Sequence, residues 1–121
     1  MKLRLLRALG ALLLFAGLAG GCGVETDERP ATRAFIVAAI LTPSCANGGC
    51  HSSAAAVEGY SFGTLDEATA ALNRLVAPGD PNRSLLMRVL RSSGEERMPL
   101  DAPLPDDDIA LIEKWIQGGA Q

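Results

Sequence analysis

The chain has 121 residues, of which 48% are apolar, 21% charged and only 4% aromatic, with a formal net charge of −3. That is room for one domain, and the balance excludes a disordered acidic tail, a collagen-like repeat and a strongly basic nucleic-acid binder. Three cysteines and one histidine exclude a closed framework of two disulfides and any site that needs two histidines from this chain.

Residues 1–7 carry Lys2, Arg4 and Arg7, and an uncharged apolar run follows from Ala8 to Ala19. A basic start, a short apolar stretch and then small residues form the pattern of an export signal. The run is shorter than the ~20 apolar residues that span a bilayer. Leu18-Ala19-Gly20-Gly21-Cys22 resembles the lipobox of bacterial lipoproteins, with Ala19 where Leu is commoner. The resemblance implies a signal peptide over 1–21, cleavage before Cys22 and lipid on its sulfur; ordinary cleavage nearby would instead leave Cys22 free. Removing 1–21 leaves eight basic against fourteen acidic residues, a charge of −6. That balance argues against nucleic acid and against charge-driven adhesion to anionic lipid, so a lipid anchor is the expected link to a membrane.

Residues 22–31 are polar and proline-ended and read as a tether, followed by one domain over 32–121. Thr32 is placed to cap a helix whose apolar stripe is Phe35, Ile36, Ala39 and Ile40, with Pro43 as its stop. Residues 44–63 are rich in Gly, Ser and Ala and lack a period. Thr64-Leu65-Asp66-Glu67 matches a capping box opening a second helix through Ala68, Ala71, Leu72 and Leu75. Residues 77–81 read as a turn, and a third helix begins at Asn82 or Arg83 with Leu85, Leu86, Val89 and Leu90 on one side. A loop over 92–105 holds three prolines. Pro105 and Asp106 to Asp108 open a fourth helix, the aspartates favouring its N-terminus through the dipole, with Ile109, Ile112, Trp115 and Ile116 inward and Gly118 as stop. Without useful β-alternation the predicted class is all-α. Loops of this length are uncommon in small domains and usually functional.

The first long loop opens on Pro43-Ser44-Cys45-Ala46-Asn47-Gly48-Gly49-Cys50-His51. Two nearby thiols can add across the two vinyl groups of haem, and a histidine directly after the second thioether is held beneath the iron as its proximal ligand. The usual gap between the cysteines is two residues; here it is four, with Gly48 and Gly49 lending the bend.

The segment resembles the bacterial monohaem c-type cytochromes in a variant with a CxxxxCH attachment site. Pro78-Gly79-Asp80-Pro81 with Ser84-Leu85-Leu86, then Arg97-Met98-Pro99, then Trp115 to Ala120, is similar to the planctomycete-type cytochrome c domain. The likeness covers residues 35–120. It implies a class I cytochrome c-like fold of about four helices around one covalent haem c (heme c), thioether-linked at Cys45 and Cys50. His51 would be one axial ligand, and Met98, 47 residues further on, the other. It also implies that the last helix packs on the first, bringing Trp115 toward Phe35 and Ala39. The His51 Nδ1 proton should go to a backbone carbonyl in a proline-containing turn, for which 77–81 is the candidate.

Other readings stay open at this point. Cys45 and Cys50 could close a small disulfide loop, or join His51 and Cys22 on zinc. Met87 is a rival to Met98, though its helical setting suits a core methionine. The aspartates at 106–108 could serve docking. Among Arg83, Arg88, Arg91 and Arg97, Arg97 is the candidate partner for a haem propionate.

The function expected is single-electron transfer between redox proteins by an exported, lipid-anchored monomer, not an enzyme, facing the periplasm or the cell surface. Iron with His51 and Met98 on its two faces is closed to substrate, and the soft thioether favours the ferrous state. The alternatives are a five-coordinate haem sensor or peroxidase-like domain, and a haem-free disulfide module for surface interaction. The shortage of aromatics suggests that haem fills the centre of the domain and that the chain needs it to fold.

Overall fold

A computed structural model describes residues 26–121. The expected signal peptide over 1–21 and Cys22, the expected lipidation site, lie outside the described residues. The class is all-α: four helices, with no strand among the described residues.

Helix α1 is a composite of Arg33–Ile36 in α form, Val37–Leu41 as a π-helical turn and Thr42–Cys45 in α form again. Thr32 caps it, its side chain accepting from the Phe35 N–H at 3.4 Å. Pro43 does not stop this helix, contrary to expectation. The π turn precedes it, with the Thr42 N–H reaching back to the Val37 carbonyl, so the hydrogen-bond ladder is already offset where proline brings no donor. The buried face is Ile36, Val37, Ile40 and Leu41, one position on from the expected stripe. Both stripes have the same spacing; the one with more aliphatic volume is buried and Ala39 is left exposed.

Helix α2 spans Leu65–Leu75 and opens on the expected capping box, burying Ala68, Ala71, Leu72 and Leu75. The next element begins later than predicted. Pro81–Arg83 is a 3₁₀ turn capped by the Asp80 side chain, and α3 spans Leu85–Arg91. Between them Ser84 is buried, its hydroxyl donating to the Asp80 carbonyl at 2.9 Å and accepting from the Ala77 N–H at 2.9 Å. That hydroxyl draws the chain into the turn and delays the helix. Met87 and Leu90 of α3 are buried.

Helix α4 spans Asp106–Gln117, with three aspartates in its first turn and Leu111, Ile112, Trp115 and Ile116 buried. It packs back on α1. Trp115 Nε1 donates to the Gln121 main-chain oxygen at 2.8 Å, Arg33 donates to the Ala120 carbonyl at 2.7 Å, and the Arg33 guanidinium lies 5.9 Å from the Trp115 ring centroid. The segment read as a tether is partly docked: Arg29 pairs with both Asp27 and Asp108. One charge of the aspartate triplet is thereby spent within the chain.

The scarcity of aromatics is met by aliphatic packing of the four helices around Trp115, Phe62 and Leu104. No helix among the described residues is long and apolar enough to cross a membrane.

Candidate functional site

Beside this core lies a cleft of about 300 Å³ whose lining includes Cys45, Cys50, His51 and Met98. Val57, Pro99 and Leu100 add apolar wall to it. Val57 and Leu100 are 43% and 61% exposed. The volume is at the lower end of small-molecule sites, roughly 300–1,000 Å³.

Helix α1 delivers Cys45 at its last residue. Beyond it the chain turns back on itself: the Cys50 N–H donates to Asn47 at 2.8 Å and the His51 N–H to the Cys45 carbonyl at 3.0 Å. Backbone bonds thus hold the two cysteines and the histidine in one tight loop. Both thiols are free, Cys45 half-buried and Cys50 exposed. Burial first, then the negative neighbours Cys50 and Asp101, push the Cys45 thiol up to about 11. At neutral pH it is therefore S–H.

His51 is oriented on three sides. Its Nδ1–H donates to the Tyr60 carbonyl at 3.1 Å, and because a carbonyl only accepts, Nε2 keeps its lone pair for a metal. Phe62 stands edge-on at 5.8 Å and Tyr60 at 6.5 Å between ring centroids. Phe62 also donates its N–H to the His51 carbonyl at 2.8 Å. The expected acceptor in the turn 77–81 is corrected to Tyr60. The chain folds back within nine residues of the histidine, so a local carbonyl accepts the Nδ1–H bond while 77–81 is engaged with Ser84 and α4.

That return is carried by a strained turn. Ala56 and Glu58 have φ of 40° and 57°, and Gly59 follows at 74°. Left-handed backbone at non-glycine residues costs of order 1 kcal/mol or more each and persists where surrounding contacts over-determine it. Gly63 is required a few residues on, since a Cβ there would sit 2.9 Å from the Ser53 backbone nitrogen.

Met98 reaches the same cleft from the other long loop. Its N–H donates to the Val89 carbonyl of α3 at 2.9 Å, and Met98–Pro99 is a cis peptide. Met87, by contrast, is 1% exposed in the core. Arg97 is not part of the cleft lining. It donates to the Pro99 and Leu100 carbonyls at 3.3 and 3.2 Å and so shapes the methionine loop. Arg91 pairs with Glu113 at 2.6 Å, and Arg83 lies 4.0 Å from Asp80.

Sequence reasoning located the four cleft residues and missed Tyr60, Phe62, Glu67 and Arg74 around them. Glu67 was legible only as half of a capping box. In the structure its Oε2 also accepts from Ser53 and Ser61, at 2.7 and 3.0 Å, and those bonds hold its carboxyl below the usual range. Among the described residues no three His, Cys, Asp or Glu side chains gather as a metal-ion site.

The donor set fits a haem: two thiols, an imidazole with its second nitrogen already bonded, and a thioether, all on one apolar-walled cleft. Compared with protein-family models, curated proteins and solved structures, the chain has no significant match.

Proposed function

We propose that this chain is an exported, lipid-anchored monohaem c-type cytochrome that carries single electrons between redox proteins. One observation carries the reading. Met98, far from His51 in sequence, lines the same cleft as Cys45, Cys50 and His51. A disulfide module explains the two cysteines and leaves the histidine and the methionine loop without a role.

Cys45 and Cys50 would hold the haem by thioethers, and His51 Nε2 and Met98 Sδ would be the donors available to its iron. When bound, haem supplies a one-electron ferric/ferrous couple. The chain's own residues do the rest. Tyr60 and Phe62 fix the imidazole, and the Tyr60 carbonyl strengthens it as a donor by accepting a hydrogen bond from Nδ1–H. Val89 and Arg97 fix the methionine loop. Val57 and Leu100 keep water from the site and form the apolar rim against which a redox partner would rest. With both donors engaged the site would leave no position open to a substrate, which would suit electron transfer. With a charge of −6 after processing, a basic partner surface is favoured.

Potentiometric titration of the purified holoprotein tests this reading. It should give one reversible one-electron wave and a low-spin spectrum in both oxidation states. A high-spin ferrous form that takes up carbon monoxide without delay would instead make it the five-coordinate sensor or peroxidase-like domain.

A further inference from the structure

Helix α2 carries two charged residues that both act on the loop supplying His51. Glu67, near its start, accepts from the Ser53 and Ser61 hydroxyls at 2.7 and 3.0 Å through one carboxylate oxygen. Seven positions on, and so on the same helix face, Arg74 donates to the Gly59 carbonyl at 3.3 Å and stacks over the Tyr60 ring at 4.6 Å from its centroid. Between these two anchor points lie the strained residues at 56–59 and the Tyr60 carbonyl that accepts the His51 Nδ1 proton. Neither Glu67 nor Arg74 lines the cleft.

We infer that Glu67 and Arg74 form a two-point clamp that sets the His51–Tyr60 hydrogen bond, and through it the electron donation of His51 and the reduction potential of the site. The inference rests on the haem reading given above. Its physical basis is the way an imidazole works as a ligand. A strong bond from Nδ1–H to a carbonyl makes the ring a better donor through Nε2 and stabilises ferric iron. Two features of the 56–60 turn make the clamp necessary: left-handed backbone at Ala56 and Glu58 relaxes when outside contacts are lost, and any such relaxation moves the Tyr60 carbonyl. Glu67 and Arg74 are therefore positioning residues.

At Arg74 the sign of the effect separates this role from simple electrostatics; at Glu67, where losing the carboxylate charge also raises the potential, the ring shift does so. Removing the Arg74 cation near a haem would lower the potential by charge alone, because ferric iron loses a repulsive neighbour. Loosening the clamp weakens the histidine as a donor and raises the potential. Arg74→Leu, Arg74→Lys and Glu67→Gln are compared with the parent in the full processed chain as purified, by voltammetry and by ¹⁵N shifts of the His51 ring. Both Arg74→Leu and Glu67→Gln should raise the potential and move the Nδ1 shift toward that of a weaker donor, with Arg74→Lys between parent and Arg74→Leu. A fall in potential for Arg74→Leu, or ring shifts unchanged in both variants, would overturn the clamp. A colourless parent would remove the haem reading, while the ring shifts would still decide the clamp.

Discussion

Where α1 meets α4 the chain closes on itself. Trp115 donates to the last residue, Arg33 lies over its ring, and the surrounding core is aliphatic. On the cleft side the rules are reversed. Irregular loops carry free thiols, a half-buried histidine, a methionine and two exposed apolar residues, and hydrogen bonds between side chain and backbone hold them in place. The first region is stabilised by burying area, at ~25 cal/mol per Å². The second is shaped by a few directional bonds, each worth about 1 kcal/mol net. A change in the frame should therefore cost stability, whereas a change in the cleft should cost chemistry and leave the helices standing.

The largest expected effect is in the frame. Trp115→Ala should destabilise the chain by about 3–5 kcal/mol in denaturant unfolding, since it leaves a large cavity and unpairs Gln121. A loss below 1 kcal/mol would show that the α1–α4 side is not the stabilising half. Gly63→Ala lies at the seam of the two regions. Its Cβ would meet the Ser53 backbone, and a cost of about 1–3 kcal/mol is expected in thermal unfolding. Unchanged stability there would mean that the loop seats itself independently of α2.

Met98→Ala sharpens the contrast from the cleft side. Its stability cost should be about 1 kcal/mol, the price of one half-buried side chain, while the ferric spectrum should turn from low spin to high spin. The smallest effect concerns acid. Because the bonds from Ser53 and Ser61 lower the Glu67 carboxyl in the folded chain, its contribution is complete above the unfolded carboxyl value and fades as pH falls through the folded one. Glu67→Gln should therefore lower stability modestly at pH 7, where the contribution is complete, and flatten the acid limb below about pH 4.5 so that variant and parent converge, as unfolding midpoints across pH would register.

The contrast also explains what was legible in the sequence. Helix faces follow from repeated apolar spacing, so α2 and α4 could be read closely from Ala68, Leu72, Ile112 and Trp115. Where two stripes had equal spacing, as at 35–41, periodicity could not choose between them and side-chain volume did. Local chemistry without a period was opaque. The delay at Ser84, the π turn before Pro43 and the return of Tyr60 to His51 depend on single hydrogen bonds. The motif residues were visible because the covalent chemistry proposed for them would fix their types and order. Glu67 and Arg74 were hidden because each has an ordinary helical explanation, as an N-cap partner and as a solvated cation.

The most direct test of the proposed function is the intact mass of the processed chain, made alongside the cytochrome c maturation machinery, with peptide mapping across residues 45–51. The expected result is the addition of one haem, carried by the peptide containing Cys45, Cys50 and His51, together with a c-type haemochrome spectrum. An unmodified mass with two free or disulfide-linked cysteines would contradict it.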